Sequence, residues 1–307
     1  MTLPPKPWPT GAAQRLEPLV ARVLAPNPSP YTYTGTQTYV VGNAAGVVVL
    51  DPGPDEAAHL DALLAAIDGR AVLAIACTHT HRDHSPAAAP LAALTGAPVA
   101  GCAPLTMEDD GPRADAAFDI HYAPDRVLAD GEAIEGPGFA LRALATPGHT
   151  SNHLCFALEA DGAPTGALFT GDHVMGWSTS VVAPPDGDMG DYMASLEKLY
   201  DRPDRIYYPA HGEAITNPRQ FVRGMIGHRR QRERQILKLL DEAGGARVAV
   251  ADMVARMYRG LDERLWGAAG RSVLAHLIDL QRRGLARHEQ GGTDGTFWAR
   301  ASEELGQ

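Results

Sequence analysis

Ala71-Val72-Leu73-Ala74-Ile75-Ala76-Cys77, then Thr78-His79-Thr80-His81-Arg82-Asp83-His84, then Ser85-Pro86: this stretch decides the reading of the chain. Residues 71–77 are apolar throughout and about the length of a strand covered on both faces, as in a sheet flanked by helices. His79 and His81 continue at period two, so both can point the same way beyond the strand end. Ser85 and Pro86 read as the N-cap and first position of a helix over Pro86 to Leu94, which puts Asp83 and His84 at its lip. Two ligand-type side chains from the strand end and two from the helix entry exceed what one tetrahedral zinc requires. They suit two neighbouring metal positions.

Further ligands are expected at three other strand ends. Phe139 to Ala145 is followed by Thr146-Pro147-Gly148-His149-Thr150, Ala167 to Phe169 by Thr170-Gly171-Asp172-His173, and Ile206 to Tyr208 by Pro209-Ala210-His211-Gly212. In each, a small or turn-forming residue lets the backbone come close before a His or Asp. All of these candidates can leave the sheet on one edge.

Taken in order, T-H-T-H-R-D-H, T-P-G-H-T, T-G-D and P-A-H-G resemble the metallo-β-lactamase superfamily of binuclear metallohydrolases over roughly residues 30 to 215. The resemblance implies an α/β fold, a four-layered αβ/βα sandwich. It also implies that His79, His81 and His149 hold one zinc ion, that Asp83, His84 and His211 hold the other, and that Asp172 bridges the pair. Asp51, in the Asp-Pro-Gly turn after the strand Gly46 to Leu50, matches a family position near the metals and is expected to orient a ligand imidazole. Two Zn2+ ions per chain are expected, with Mn2+ or Fe2+ as alternatives because mixed His/carboxylate sites accept several first-row ions. Two such ions ~3.5 to 4 Å apart share a hydroxide that serves as nucleophile at neutral pH. Asp83, besides coordinating, is expected to orient that nucleophile, and His173 to contact the substrate or supply an acid. His153 is read as the start of a strand and His121 as an ordinary residue.

Composition agrees with a large catalytic unit followed by a small one. The chain has 307 residues, 45% of them hydrophobic, and a net charge of -10. It has no apolar run of membrane-spanning length, and Met1 to Pro9 has neither the basic nor the apolar part of a secretory signal, so a cytoplasmic location is expected. Cys77, Cys102 and Cys155 lack metal-type spacing and read as buried thiols. The acidic balance reverses near the end: residues 225–301 carry 14 Lys/Arg against 9 Asp/Glu. A boundary is expected at 220/221, with residues 1–220 catalytic and 221–307 a separate unit.

In that second unit Asn217 and Pro218 open a helix running to about Glu242, which Gly244 and Gly245 break. Helices over Val250 to Tyr258 and Glu263 to Gly284 follow, and then Leu285 to Gln290 and Thr296 to Arg300 flank a Gly-Gly-Thr-Asp-Gly turn as a hairpin would. Three helices and a hairpin outline a winged helix. This tail, the runs Gly176 to Val182 and Asp191 to Leu196, and His228-Arg229-Arg230 resemble the beta-lactamase-like protein 2 group of the same superfamily, for some members of which activity on single-stranded RNA is implied. The run Arg229-Arg230-Gln231-Arg232-Glu233-Arg234 reads either as a phosphate track or as a solvated helix face with local pairing.

Three functions follow from these readings. The first is a zinc-dependent phosphodiesterase or endoribonuclease on single-stranded RNA. The second is a glyoxalase-II-like, acyl-thioester or ester hydrolase on small molecules, and the third a non-catalytic nucleic-acid binder with structural metals. An antibiotic-cleaving role finds no support in the ligand pattern. Specificity is assigned to the loops Gly101 to Arg126 and Gly176 to Gly190.

Overall fold

Two sheets carry the larger part of the chain in the computed structural model, which describes residues 8–105, 118–262, 265–289 and 297–301. The first sheet holds, in chain order, β1 (Gln14–Glu17), β2 (Val20–Leu24), β3 (Gln37–Asn43), β4 (Gly46–Leu50), β5 (Val72–Cys77), β6 (Val99–Gly101) and β7 (Arg126–Val127). Pairing is antiparallel as far as β4 and parallel from β4 to β7. The change follows from the connections: α1 (Ala57–Ile67) lies between β4 and β5, and α2 (Ala88–Thr95) between β5 and β6. Parallel neighbours need such crossovers.

The second sheet contains β8 (Ala133–Gly136), β9 (Phe139–Ala145), β10 (Leu154–Ala160), β11 (Ala163–Gly171) and β12 (Ile206–Pro209), in the order β12-β11-β10-β9-β8. Only β12 is parallel to its neighbour, because α3 (Met189–Tyr200) precedes it. Period-two alternation divides this sheet between two cores. Leu141, Phe156 and Phe169 join Val48, Leu63 and Ile75 in the core shared with the first sheet, whereas Cys155, Leu168 and Tyr207 join Leu196 and Val222 of the outer helices. Helices, sheet, sheet and helices thus make four layers, the α/β sandwich expected. Each large apolar side chain so buried stabilises the fold by roughly 1.5–3 kcal/mol.

Local boundaries differ where capping was expected. The helix after the histidine cluster starts at Ala88 rather than Pro86, and its N-cap, Ala87, has no side-chain cap. Ser85 Oγ instead donates to Asp119 Oδ2 at 2.9 Å, because residues 81–85 form a turn closed by His84 N to His81 O. All three cysteines are free and buried. No helix among the described residues is long and apolar enough to cross a membrane.

The remaining elements are α4 (Pro218–Glu242), β13 (Val248–Ala249), α5 (Val250–Met257), α6 (Trp266–Arg282), β14 (Ala286–Glu289) and β15 (Phe297–Arg300). The three strands form a sheet in the order β13-β15-β14 around a third core that includes Ile236, Val254, Leu277 and Trp298, the layout of a winged helix. The Gly291–Gly295 turn, Glu263 and residues 106–117 of the loop Gly101 to Arg126 lie outside the described residues. Side-chain clusters divide within α4: Val222, Met225 and Ile226 pack with α3, Ile236 and Leu240 with the third core. The division expected at 220/221 falls inside the first turn of α4, and the helix contributes side chains to both the second and the third core.

Candidate metal centre

Loops that follow β4, β5, β9, β11 and β12 bring their polar residues to one rim of the sandwich. Donor atoms of His79, His81, His149 and Asp172 lie within 4.8 Å of one another, and those of Asp83, His84 and His211 form a second such group. Asp172 faces both. Its Oδ2 is 3.7 Å from His149 Nε2, while its Oδ1 is 3.2 Å from His211 Nε2 and 3.6 Å from His84 Nε2. His79 Nε2 and His149 Nε2 approach His81 Nδ1 at 2.9 and 3.1 Å, and Asp83 Oδ2 lies 3.1 Å from His211 Nε2 and 3.3 Å from His84 Nε2.

The outward nitrogens are tied down, which fixes both ring orientation and tautomer. His84 Nδ1 donates to Asp51 Oδ2 (3.1 Å), His149 Nδ1 to the Val181 carbonyl (2.6 Å), His211 Nδ1 to the Gly35 carbonyl (3.2 Å) and His79 Nδ1 to Thr78 Oγ1 (3.0 Å). Thr78 in turn donates from its backbone N and its Oγ1 to Asp51 (2.7 and 2.8 Å). Asp51 has a left-handed backbone, φ 50°, which Asp tolerates better than most residues. Close backbone packing also matters at Gly148, where φ is 135° and a Cβ would stand 2.3 Å from Tyr192 Cα. Only glycine lets α3 press this close behind His149.

The protonation pattern of the residues themselves is asymmetric. Burial pushes His79 and His81 down, His81 to about 3, and the neighbouring imidazoles add to this. Burial opposes a charge on His84 and His211 too, yet Asp83 and Asp172 outweigh it, raising His84 well above the usual range and His211 to about 10. Burial likewise disfavours both carboxylates, but His84 and His211 hold them well below it. The carboxylates thus favour positive charge at the second group, and a metal bound there would compete with protons. His84 Nε2 and Asp172 Oδ1 are buried with no hydrogen bond, and the donors are imidazoles and carboxylates. These are orphaned ligand atoms of a type that suits divalent zinc, iron or manganese, so the residues fit a metal.

A cleft of about 250 Å³ opens over this cluster, with His81, Asp83, His149, Asp172 and His211 on its floor. Its walls come from both units: Tyr31, Phe118 and Trp177 on one side, Tyr258, Leu261 and Ala269 on the other. His173 is not brought into it. That ring is buried against Tyr192 at 4.6 Å and His153 at 5.6 Å, and burial, with His149 and Arg229 nearby, pushes it to about 3. His153, just before β10, is buried beside His79, and His121 is exposed.

The basic run of α4 is dispersed. Arg229 is buried, donating to the Ser180 carbonyl and to Ser272 Oγ at 3.4 Å, Arg230 pairs with Glu197 at 2.8 Å, and Glu233 pairs with Arg283 at 2.7 Å. Of the run's arginines, Arg229 and Arg232 line the cleft. Sequence reasoning missed three contributors. Thr36 Oγ1 donates to Asp83 Oδ2 (3.0 Å), Thr78 links Asp51 to His79, and Arg229 anchors Ser180, the neighbour of the Val181 that holds His149. Each is an ordinary residue type; Thr36 and Arg229 act across long sequence separations, and Thr78 couples its neighbour His79 to Asp51, 27 positions away.

Residues 31–211 match the family model described as "Metallo-beta-lactamase superfamily", and residues 249–296 that of the "Beta-lactamase associated winged helix domain". Among curated proteins, the chain is 33% identical to the beta-lactamase-like protein 2 homolog of Drosophila melanogaster over 90% of this chain and 92% of that one. It is 35% identical to an atrochrysone carboxyl ACP thioesterase of Aspergillus fumigatus over 77% of this chain and 70% of that one. In structure it resembles a beta-lactamase domain protein from Burkholderia ambifaria, with TM-score 0.74 at 22% identity over 98% of this chain and 95% of that one.

Proposed function

This chain belongs to the metallo-beta-lactamase superfamily and is a metal-dependent hydrolase, and from that premise we propose that it cleaves acyl thioesters or related esters at a two-metal centre. In this reading His79, His81 and His149 hold one Zn2+, Asp83, His84 and His211 the second, and Asp172 lies between them; Fe2+ or Mn2+ are the alternatives. When bound, such a pair supplies a nucleophile at neutral pH and polarises the scissile carbonyl. Asp172 turns one oxygen to each group of donors and would help hold both ions. Asp83, still 26% exposed at its side chain, holds one oxygen against the His84–His211 group and reaches the cleft, where it can orient a nucleophile.

The observation that carries the reading is the character of the cleft, whose walls are mainly aromatic and aliphatic and which leads to the cluster. An apolar acyl group is attracted to such a surface, whereas a polyanion would find basic wall residues only at His228, Arg229 and Arg232. The expected phosphate track has one arginine buried and another paired, which weakens the single-stranded RNA alternative. A thiolate also leaves without a general acid, whereas an alkoxide needs one. His173, expected to be that acid, is sealed away and neutral. Thioesterase-named relatives support the same substrate class.

The test is a panel of coenzyme A and N-acetylcysteamine thioesters beside a labelled single-stranded oligoribonucleotide, with metal-loaded protein and Asp172→Ala as control. Thioester hydrolysis that the variant loses is expected. Cleavage of the oligonucleotide with every thioester intact overturns the proposal.

A further inference from the structure

We propose that the winged-helix unit gives the cleft an anion-binding subsite, formed by Arg232 and His228 of α4 and backed by Tyr258, which takes a carboxylate or phosphate carried by the substrate away from its scissile bond. This rests on the reading of the cleft as the seat of an acyl thioester.

His228 and Arg232 stand four residues apart, so they share one face of the helix, and both line the cleft whose floor is the metal cluster. The guanidinium carbon of Arg232 lies 4.5 Å from the centre of the Tyr258 ring, a stacking that holds the planar group in place. One nitrogen of that group donates to Gln235 Oε1 at 2.9 Å. Its Nε is buried and has no acceptor, and His228 Nδ1 is in the same condition. Among the described residues no carboxylate pairs with Arg232, in contrast to Arg230, Arg282, Arg283 and Arg300, which each have one.

Arg232 is half-buried, and a buried donor such as its Nε without an acceptor is costly, a cost that a substrate anion offsets. The guanidinium fork matches the two oxygens of a carboxylate or phosphate. Arg229, one residue away from His228, adds positive charge to the same wall, and together with burial the two arginines disfavour a proton on His228. Asp186, a carboxylate that also lines the cleft, accepts from Ser151 N at 3.1 Å through Oδ1, while its Oδ2 is buried without a hydrogen-bond partner. Floor and wall therefore recognise different parts of one molecule.

Three substrates for the metal-loaded full chain separate the sources of the anion. They are the N-acetylcysteamine thioester of a monocarboxylic acid, that of the matched dicarboxylic acid, and the coenzyme A thioester of the monocarboxylic acid. The wild type should favour at least one anionic substrate over the neutral one by roughly tenfold or more in kcat/KM, mainly through KM, as expected for one charge-assisted pair. Preference for the dicarboxylate places the anion on the acyl side, and preference for coenzyme A on the carrier side. Arg232→Gln should bring that ratio close to one, with metal content and thermal unfolding recorded to detect a folding defect. A wild-type ratio near one overturns the subsite, and so does a ratio that Arg232→Gln leaves intact. Calorimetry with uncleavable thioether analogues of the same three compounds reads the subsite without turnover. If no thioester is hydrolysed the functional reading fails, while the binding ratio in the wild type still decides the subsite.

Discussion

The strand-end loops and helix α4 are the two stretches richest in chemistry-bearing residues, and the fold treats them in opposite ways. At the strand ends, residues far apart in sequence, 91 positions for His81 and Asp172 and 128 for Asp83 and His211, are gathered into one cluster. On α4, neighbours in sequence are driven apart, because successive residues of a helix turn by about 100° around its axis. Arg229 goes into the protein, Arg230 to Glu197, Glu233 to Arg283, and Arg232 into the cleft. Density in sequence therefore means a site only when several loops share a rim. Along a helix it means several separate tasks.

The largest expected effect breaks the first half of this contrast. Asp172→Ala removes the carboxylate that faces both groups, and should lower kcat/KM by roughly a thousandfold, about 4 kcal/mol of barrier, together with the bound metal content. Metal content and rate measured on the same sample check this. Full metal content at full rate would show that the two groups do not work together.

Arg229→Met tests whether α4 reaches the cluster through adjacent peptides. The Ser180 carbonyl it holds adjoins the Val181 carbonyl that accepts from His149, so metal affinity should fall ten- to a hundredfold, as for other residues that orient ligands. Asp51→Asn, which weakens the hold on His84, should fall in the same range towards its lower end, and metal titration by competition with a chelator compares the two. An Arg229 variant with wild-type affinity would confine α4 to a packing role.

A smaller effect is expected in the pH dependence of stability. His276 on α6 is buried with neither ring nitrogen hydrogen-bonded, and burial, with Arg229, His228 and Arg232 close by, pushes it to about 3. Its usual value is about 6.5. The neutral ring is the form the fold accepts, so its contribution is complete above about 6.5 and is lost as pH falls from there towards 3. Urea unfolding at several pH values should show this slope, and His276→Phe should flatten it. The smallest effect belongs to Arg230→Ala, whose partner pair is exposed on both sides. A stability change below about 1 kcal/mol is expected, with thioester hydrolysis unaltered.

Much of the arrangement was legible before any coordinates. The run 71–77 announces a covered strand, and β5 occupies Val72–Cys77; the strand read over Gly46 to Leu50 and the helix opened by Pro218 appear with the bounds expected. Periodicity and proline placement are local properties, which is why they can be read locally. The missed helix start at Ala88 shows the limit: Ser85 had the chemistry of a cap, but a turn through residues 81–85 and the carboxylate of Asp119 took its side chain elsewhere.

By itself, the sequence picked out the candidate donors, through their order after strands and their resemblance to the superfamily's motifs. Imidazoles and carboxylates at His79, His81, Asp83, His84, His149, Asp172 and His211 have few other uses in that order after strands. Tertiary structure alone decided what surrounds them: that His173 faces inward while its neighbour Asp172 faces the cluster, that Thr36 and Thr78 support the candidate donors, and that the winged-helix unit walls the cleft instead of offering an open basic face. The physical reason is the range of the interactions. Ligand chemistry and strand period are carried by a residue and its nearest neighbours, whereas burial, support and the walls of a cavity depend on contacts between segments that only packing brings together.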